Sequence, residues 1–403
     1  MFNLNDRYVV SSGEFVLSGV QAIVKLSLLQ RELDKKNGLN TAGYVTGYRG
    51  SPLGTVDREF ISQRDLLTKN NITFHPSINE DIAVATLQGT QQLGIVSKAT
   101  VDGVFGFWYG KGPGVDRSGD QFKHTSFFGT SQYGGCLAFA GDDHSNKSST
   151  IPHETGPTFK TWRIPVITPA TVEDVMRLGL MGIAMSRYSG LWSSMKIISN
   201  LADAYQTVSI DLDSWEPGIP NNPPVVFDVH ARWPDLGVEQ EARITEQKLP
   251  ALQEFMRYNM FDSYSHANAK HVGIVAVGKS YVDTLTAMQK LGITTDDVGL
   301  YKVGIAWPLH DEHLINFCTS YQDILVVEEK SGLVEDQLYK LLYNHKRIKI
   351  HGKNLLSQLL DFDAYEIANA LQVVIGKKTL QVKLDDSYES VEKREPHFCS
   401  GCP

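Results

Sequence analysis

Short apolar segments alternate with helical segments along most of this chain, and this alternation limits the folds it can adopt. Candidate buried strands cover residues 40–45, 137–140, 195–198, 272–277, 298–303 and 324–327. Candidate helices begin near Ser77 and Thr171 and cover residues 240–258, 280–291 and 334–342. Strands that are joined through helices usually pack side by side in parallel. The pattern therefore predicts an α/β protein with two successive open, mostly parallel sheets covered by helices.

The same pattern divides the chain into units. Four prolines between Pro217 and Pro224 indicate a boundary, because proline clusters interrupt regular structure. We expect a first α/β domain over residues 1–225 and a helical connector over 226–268. A second α/β domain is expected over 269–376, and the polar residues 377–403 are expected to form a linker.

Composition excludes several classes of protein. The chain has 38 basic and 46 acidic residues and a net charge of −8, which argues against binding to nucleic acid or anionic membranes. No apolar run approaches the roughly 20 residues that a membrane span needs. Residues 1–10 lack the pattern of a signal peptide, and four cysteines do not form a disulfide scaffold. We therefore expect a soluble cytoplasmic protein.

Two motifs have simple structural interpretations. Residues 273–280 match the phosphate-loop pattern, but Ile, Val, Ala and Val between the glycines are typical of a strand. We therefore predict an ordinary strand-to-helix turn there. His310 and His313 could be drawn as a metal site, yet their position after Pro308 favours an exposed helix start.

Two further regions indicate possible ligand contacts. Ten glycines lie between Gly103 and Gly141, which predicts loops that approach a ligand closely. A polar cluster follows the candidate strand 137–140 and consists of Asp142, Asp143, His144, His153 and Glu154. Strand carboxyl ends bind ligands in open α/β sheets, so this cluster either faces a ligand or forms plain loops between strands.

Glu80 allows two interpretations on pattern alone. Ser77 and Glu80 have the spacing of a capping box, in which the glutamate only satisfies a backbone N–H at a helix start. Glu80 also precedes a helix rich in small apolar residues, where a carboxyl group can be buried.

Several of these segments together resemble a known family. The turn Gly47-Tyr48-Arg49-Gly50-Ser51-Pro52 resembles the Gly-Tyr-Pro-Gly-Ser-Pro turn of the indolepyruvate:ferredoxin oxidoreductases, which are thiamine-diphosphate-dependent 2-oxoacid:ferredoxin oxidoreductases. Arg49 stands where the commonest family pattern has proline. Asn79-Glu80 resembles the cofactor-activating glutamate segment of the family. Residues 326–330 with 335–337, and residues 399–403, resemble segments of later domains.

This resemblance implies a partial chain of the long fused bacterial form. The first domain would bind the pyrimidine of thiamine diphosphate, and the second would be the transketolase C-terminal-like domain. Residues 377–403 would lead into a truncated diphosphate-binding domain. The family's Mg²⁺-binding Gly-Asp-Gly…Asn motif does not occur here, since Gly141-Asp142-Asp143 lacks the second glycine.

The resemblance also implies roles for single residues. Glu80 would bond the pyrimidine N1′ and promote loss of the thiazolium C2 proton, and Ser51 would orient the substrate. Cofactor contacts would come from Gly50, Pro52, Gly112, Pro113, Gly114, Asp142, Asp143 and His144. Cys399 and Cys402 would ligate a [4Fe–4S] cluster in the full-length protein.

The function implied is oxidative decarboxylation of an aryl or branched 2-oxoacid, with CoA as acyl acceptor and ferredoxin as electron acceptor. A homodimer and missing C-terminal domains would complete the enzyme. Two alternatives stay open: a non-oxidative thiamine-dependent transketolase or decarboxylase relative, and a non-catalytic dimerisation fragment.

Overall fold

The computed structural model describes residues 6–96, 98–149, 151–220, 227–268, 271–345 and 347–376. Its strands are β1 (Ser12–Ser18), β2 (Ala42–Gly47), β3 (Ile72–Phe74), β4 (Val104–Lys111), β5 (Cys136–Asp142), β6 (Val166–Ile167), β7 (Ser193–Ile198), β8 (Tyr205–Asp211), β9 (Ser263–Ser265), β10 (Val272–Val277), β11 (Gly299–Val303), β12 (Ile305–Trp307), β13 (Asp323–Val327) and β14 (Lys349–His351).

The helices alternate with these strands. They are α1 (Asp6–Val9), α2 (Gly19–Lys36), α3 (Val56–Ser62), α4 (Arg64–Lys69), α5 (Glu80–Thr90), α6 (Gly112–Arg117), α7 (Gly119–Phe128), α8 (Gly156–Thr161), α9 (Val172–Ser189), α10 (Ser199–Ala202), α11 (Gly237–Arg243), α12 (Leu249–Tyr258), α13 (Lys279–Leu291), α14 (Asp311–Cys318), α15 (Leu333–Leu341) and α16 (Ala364–Ile375). A π-helical turn, Ile244–Lys248, joins α11 to α12.

The larger sheet has seven strands in the order β12-β6-β7-β5-β4-β2-β3. Its strands run parallel except β12, which pairs antiparallel with β6. The chain passes from β2 to β3 on one side and then crosses to β4 on the other side of β2. The strand order therefore reverses at β2 and β4, which is where open α/β sheets form ligand crevices.

The smaller sheet has five strands in the order β14-β13-β10-β11-β9. β9 is antiparallel and the other strands are parallel. The predicted fold class, two open and mostly parallel sheets with helical cover, is thus confirmed. The structure adds a two-stranded antiparallel sheet of β1 and β8, and it places β12 in the larger sheet although its residues belong to the predicted second domain.

Apolar side chains connect the sheets. One core cluster lies between the larger sheet and helices α2 and α9. A second cluster runs without interruption from the other face of the larger sheet, at Trp108, and the adjacent Phe122 of α7 to the smaller sheet at Val275 and Tyr301. Because both sheets contribute to this second cluster, the two sheets are packed against each other through one hydrophobic core.

The glycine-rich region does not form the predicted loops. Residues 103–141 contain β4, α6, α7 and β5, and each residue of β4 is buried. The prediction was wrong because these glycines make room for neighbouring side chains inside regular structure. A Cβ on Gly110 would lie 2.5 Å from the Trp108 ring, and one on Gly106 would lie 2.6 Å from Leu87.

Other local predictions are confirmed or corrected. Residues 273–277 lie within β10, as expected for a strand rather than a phosphate loop. Helix α9 begins after Thr171 with a capping box and ends at Gly190 in the left-handed conformation. A helix, α14, starts after His310 as predicted, but the start is not fully exposed: His310 is the N-cap and is buried, and its ring stacks on His313 with centroids 3.9 Å apart. Within the described ranges, no helix has both the length and the apolar character that crossing a bilayer requires.

A buried lysine joins the connector helices to the larger unit. The Lys248 Nζ donates hydrogen bonds to the Ser126 and Phe127 carbonyl oxygens, at 3.1 and 2.9 Å, near the carboxyl end of α7. Burial, aided by the nearby Arg243 charge, lowers the pKa of Lys248 to about 7. The folded chain therefore releases this proton at a much lower pH than the unfolded chain, where the ordinary value is 10.5.

This difference predicts a pH-dependent stability. Between pH 7 and pH 10.5 the unfolded chain binds more protons, so the free energy of unfolding should rise with pH through this window. The contribution from Lys248 should approach ~1.4 kcal/mol per pH unit. Urea titrations of the wild type and Lys248→Met at several pH values would measure it. If the free energy of unfolding changed with pH equally in the two proteins, the pH dependence would not come from Lys248.

Candidate active site

Three neighbouring strands of the larger sheet bring most of the predicted residues to one edge. β2, β4 and β5 are adjacent, and they end at Gly47, Lys111 and Asp142. The turn after β2 folds back over this edge. A Cβ on Gly50 would lie 2.8 Å from the Lys111 Cδ, and one on Gly141 would lie 3.0 Å from the Pro52 Cδ. The turn that carries Ser51 therefore lies directly on the ends of β4 and β5.

The loop before α5 reaches the same edge. The Ser77 N–H donates to the Gly47 carbonyl at 2.9 Å, so the chain runs along the end of β2 before the helix begins. Helix α5 starts at Glu80, and its N-cap is Asn79, whose side chain accepts from the Ile82 N–H at 2.8 Å. The alternative interpretation of Ser77 and Glu80 as a capping box is wrong, since Asn79 takes the capping role.

Glu80 is 6% exposed although it carries a carboxyl group. Its side chain lies against α6, because a Cβ on Gly114 would be 2.5 Å from the Glu80 Cγ and 2.6 Å from its Oε1. The Trp108 Nε1 donates to the Glu80 carbonyl at 3.2 Å. Burial raises the pKa of Glu80, and a hydrogen bond from its own backbone N–H together with attraction to Arg117 and Lys111 offsets only part of this effect. The carboxyl group is therefore easier to protonate than an exposed one.

The neighbouring residue Asp81 ties α5 to α6 and α7. Arg117 Nε lies 3.2 Å from one Asp81 oxygen, and the Ser118 hydroxyl donates to the other at 3.0 Å. Gly112, Pro113 and Gly114 form the first turn of α6 rather than the predicted loop. His153 covers this turn, because a Cβ on Gly112 would lie 2.5 Å from the His153 Cβ.

Asp142 and Asp143 hold a loop with their carboxylates. Asp143 accepts the N–H groups of Lys147, Ser148 and Ser149 at 2.9, 2.9 and 3.0 Å. Burial by itself raises the pKa of Asp143, but these donors outweigh it and the net pKa is lowered. Asp142 accepts from the Thr155 N–H at 2.9 Å and from its hydroxyl at 3.1 Å. These contacts shape the segment that covers the edge of the sheet.

His144 points to the smaller sheet. Its Nδ1 lies 2.7 Å from Glu329 Oε2, and Lys279 Nζ lies 3.2 Å from the other Glu329 oxygen. Burial alone would raise the pKa of Glu329, but the bond to His144 and the Lys279 charge lower it to about 2. A cavity of about 40 Å³ lies between the sheets and is lined in part by His144, Glu154, Lys196, Lys279, Glu328 and Glu329.

Sequence reasoning missed Lys111 and Trp108 of β4 and the Asp81–Arg117 pair. The apolar run Val104–Tyr109 followed by a lysine was the available signal, and it was hidden because the glycines suggested loops. No group of three or more metal-ligating side chains occurs among the residues that the structure describes. Cys399 and Cys402 lie outside the described residues, so their proposed role stays a prediction.

Comparisons with known proteins agree with this geometry. The structure aligns with a 2-oxoglutarate:ferredoxin oxidoreductase from Magnetococcus marinus with a TM-score of 0.64 and 14% sequence identity. The alignment covers 90% of this chain and 66% of that chain. This chain matches a split-gene transketolase described as an inactive beta4 tetramer over 89% of its length and 98% of that chain, with a TM-score of 0.51 and 12% identity. The chain thus shares the α/β fold of these two proteins.

Sequence comparisons agree on one group of relatives. A sequence model described as the indolepyruvate oxidoreductase domain matches residues 263–395. The indolepyruvate oxidoreductase subunit IorA of Pyrococcus horikoshii is 24% identical over 96% of this chain and 57% of its own length. The subunit of the same name from Methanothermobacter thermautotrophicus is 20% identical over 94% of this chain and 59% of its own.

The chain is therefore similar to indolepyruvate oxidoreductase subunits along nearly its whole length, in agreement with the resemblance seen in its sequence motifs. It spans a little under three fifths of the length of these two curated relatives.

Because Glu80 packs closely against α6, we expect a larger side chain at Gly114 to destabilise the fold. Gly114→Ala would place a methyl group within 2.8 Å of three Glu80 side-chain atoms, so that side chain must move. We expect a loss of about 1–3 kcal/mol in the free energy of unfolding, typical of overpacking. Gly89→Ala in α5 is the matched control, because its Cβ would meet nothing within 4 Å. Equal stability of the two variants in urea titrations would show that α6 does not confine Glu80.

Proposed function

We propose that this chain is the part of an indolepyruvate-type 2-oxoacid oxidoreductase that holds the pyrimidine end of thiamine diphosphate. The observation that carries the proposal is the buried Glu80 carboxyl group at the edge where β2 and β4 change the strand order. Such an edge is the usual ligand crevice of an open α/β sheet.

The residues at this edge fit the cofactor. A pyrimidine nitrogen needs a carboxyl group that can share a proton, and Glu80 is such a group because burial raises its pKa. The glycines at positions 50, 112 and 114 keep the backbone close to the neighbouring side chains. Thiamine diphosphate, when bound, supplies the nucleophilic carbon and the electron sink that decarboxylation of a 2-oxoacid needs.

The chain's own residues then have distinct tasks. Glu80 holds a proton at its carboxyl group and exchanges it with the pyrimidine. Asp81, Arg117 and Ser118 keep the start of α5 in register with α6, so the Glu80 carboxyl stays in place. The half-buried Ser51 orients the oxoacid with its hydroxyl. Gly50 and Pro52 shape its turn, while Asp142 and Asp143 stabilise the loop that covers the edge.

The rest of the reaction belongs to the longer protein. CoA as acyl acceptor, ferredoxin as electron acceptor, Mg²⁺ at the cofactor's diphosphate and a [4Fe–4S] cluster at Cys399 and Cys402 all require parts beyond the described residues. We further propose a homodimer in the cytoplasm. The IorA name of the relatives supports an oxidoreductase that acts on indolepyruvate-type 2-oxoacids, with partner subunits.

Substitution of Glu80 tests the proposal. In the full-length protein, Glu80→Gln and Glu80→Ala should reduce 2-oxoacid oxidation by at least roughly a hundredfold, because the proton carrier is lost. Exchange of the cofactor's C2 proton for deuterium should slow in parallel. Glu32→Gln, at an exposed carboxylate of α2, is the control and should leave both rates unchanged. Near-wild-type turnover in either Glu80 variant would remove Glu80 from the mechanism.

The two alternative functions give different results. Iron analysis and absorbance of the full-length protein should show Fe–S centres, whereas a colourless, iron-free enzyme would favour a non-oxidative thiamine enzyme. For a non-catalytic dimerisation fragment, the 403-residue chain should self-associate. Calorimetry of the same 403-residue chain should then show no binding of thiamine diphosphate.

A further inference from the structure

We propose that Lys111 binds the carboxylate of the 2-oxoacid substrate, together with Ser51. This inference rests on the proposed function and adds a substrate-binding residue to it. Lys111 is the last residue of β4, and it is 4% exposed. It lies at the edge of the larger sheet where the strand order reverses.

The position of its side chain supports this role. Lys111 lies on the face of β4 that carries Phe105, Phe107 and Tyr109, since alternate residues of a strand share a face. Its Cγ and Cδ atoms occupy the space that a Cβ on Gly50 would need, at 3.0 and 2.8 Å. The stem of Lys111 therefore runs beneath the turn that carries Ser51. The positive charge and the Ser51 hydroxyl belong to two segments in direct contact.

The charge of Lys111 also reaches the proposed proton carrier. Attraction to Lys111 is one of the effects that limit the rise in the pKa of Glu80. Glu80 approaches from the other face of the sheet, through its contact with Gly114 of α6, and α6 follows Lys111 directly. A substrate anion at Lys111 would thus lie between the Ser51 turn and the region where Glu80 acts.

Lys111 differs from two other buried lysines in its position in the fold. Lys25 belongs to α2, and Lys248 belongs to the π-helical turn between α11 and α12. Neither lies at the carboxyl edge formed by β2, β4 and β5. Lys111 is the last residue of β4 and lies at that edge.

The chemistry of the substrate class requires such a group. Every 2-oxoacid carries a carboxylate at neutral pH, and binding it away from water costs free energy unless a cation compensates. Lysine provides a compact positive charge with three donors, and charge-assisted hydrogen bonds are stronger than neutral ones. A lysine beside the orienting hydroxyl would bind the anion and hold its carboxylate in one orientation.

The test uses the full-length enzyme with its partner subunits and cofactor. The probes are the 2-hydroxyacid analogue of the substrate and its methyl ester, compared as competitive inhibitors. In Lys111→Met, the inhibition constant of the acid should rise roughly ten- to hundredfold, as expected for loss of one charge-assisted bond. That of the uncharged ester should change less than about twofold, since the lost interaction is with the carboxylate. The control Lys25→Met should show wild-type constants for both.

Two outcomes would overturn the proposal: unchanged binding of the acid in Lys111→Met, or equal weakening of acid and ester, which indicates a structural role. If the Met variant does not fold, Lys111→Arg keeps the charge and should keep the preference for acid over ester within about threefold of wild type. Loss of that preference in a folded Arg variant would also overturn it.

Exchange of the cofactor's C2 proton should persist in Lys111→Met. Loss of that exchange in Glu80→Gln, measured separately, reports on the proposed function alone.

Discussion

The burial of the Glu80 carboxyl group against α6 is the interaction on which the proposed chemistry depends. Asn79 caps α5, so Glu80 is free of the capping task that its position first suggests. Gly114 leaves the space in which the Glu80 side chain lies. The Asp81 contacts with Arg117 and Ser118 then hold both helices in place. A carboxyl group with a raised pKa is thereby kept at the ligand edge of a parallel sheet.

The polar contacts between the sheets form a second region with a different task. His144, Glu329 and Lys279 link the end of β5 to the smaller sheet. Glu328 beside them accepts the N–H groups of Val334 and Glu335 at 2.9 and 2.8 Å, and burial raises its pKa to about 7. Buried charges of this kind are tolerated because each has partners. These residues support the mutual position of the sheets, while the Glu80 edge carries the proposed cofactor contacts.

Much of the architecture could be predicted because local patterns report burial directly. The apolar runs at 272–277 and 324–327 are strands in the structure, and the Thr171 start and Gly190 end of α9 are both observed. β4 was missed because glycine usually interrupts strands, whereas here Gly106 and Gly110 accommodate Leu87 and Trp108. Recognition of that strand needs knowledge of which distant side chains pack on it.

The amino-acid sequence by itself determined the fold class, the resemblance to the indolepyruvate:ferredoxin oxidoreductases and the residues that could carry chemistry, because apolar periodicity and short motifs are local properties. Only the tertiary structure decided which of those residues meet. It placed Glu80, Gly114 and Lys111 at one edge, and it directed His144 to the other sheet. Such contacts join residues tens to hundreds of positions apart, and they follow from strand order and helix packing, which no local pattern encodes.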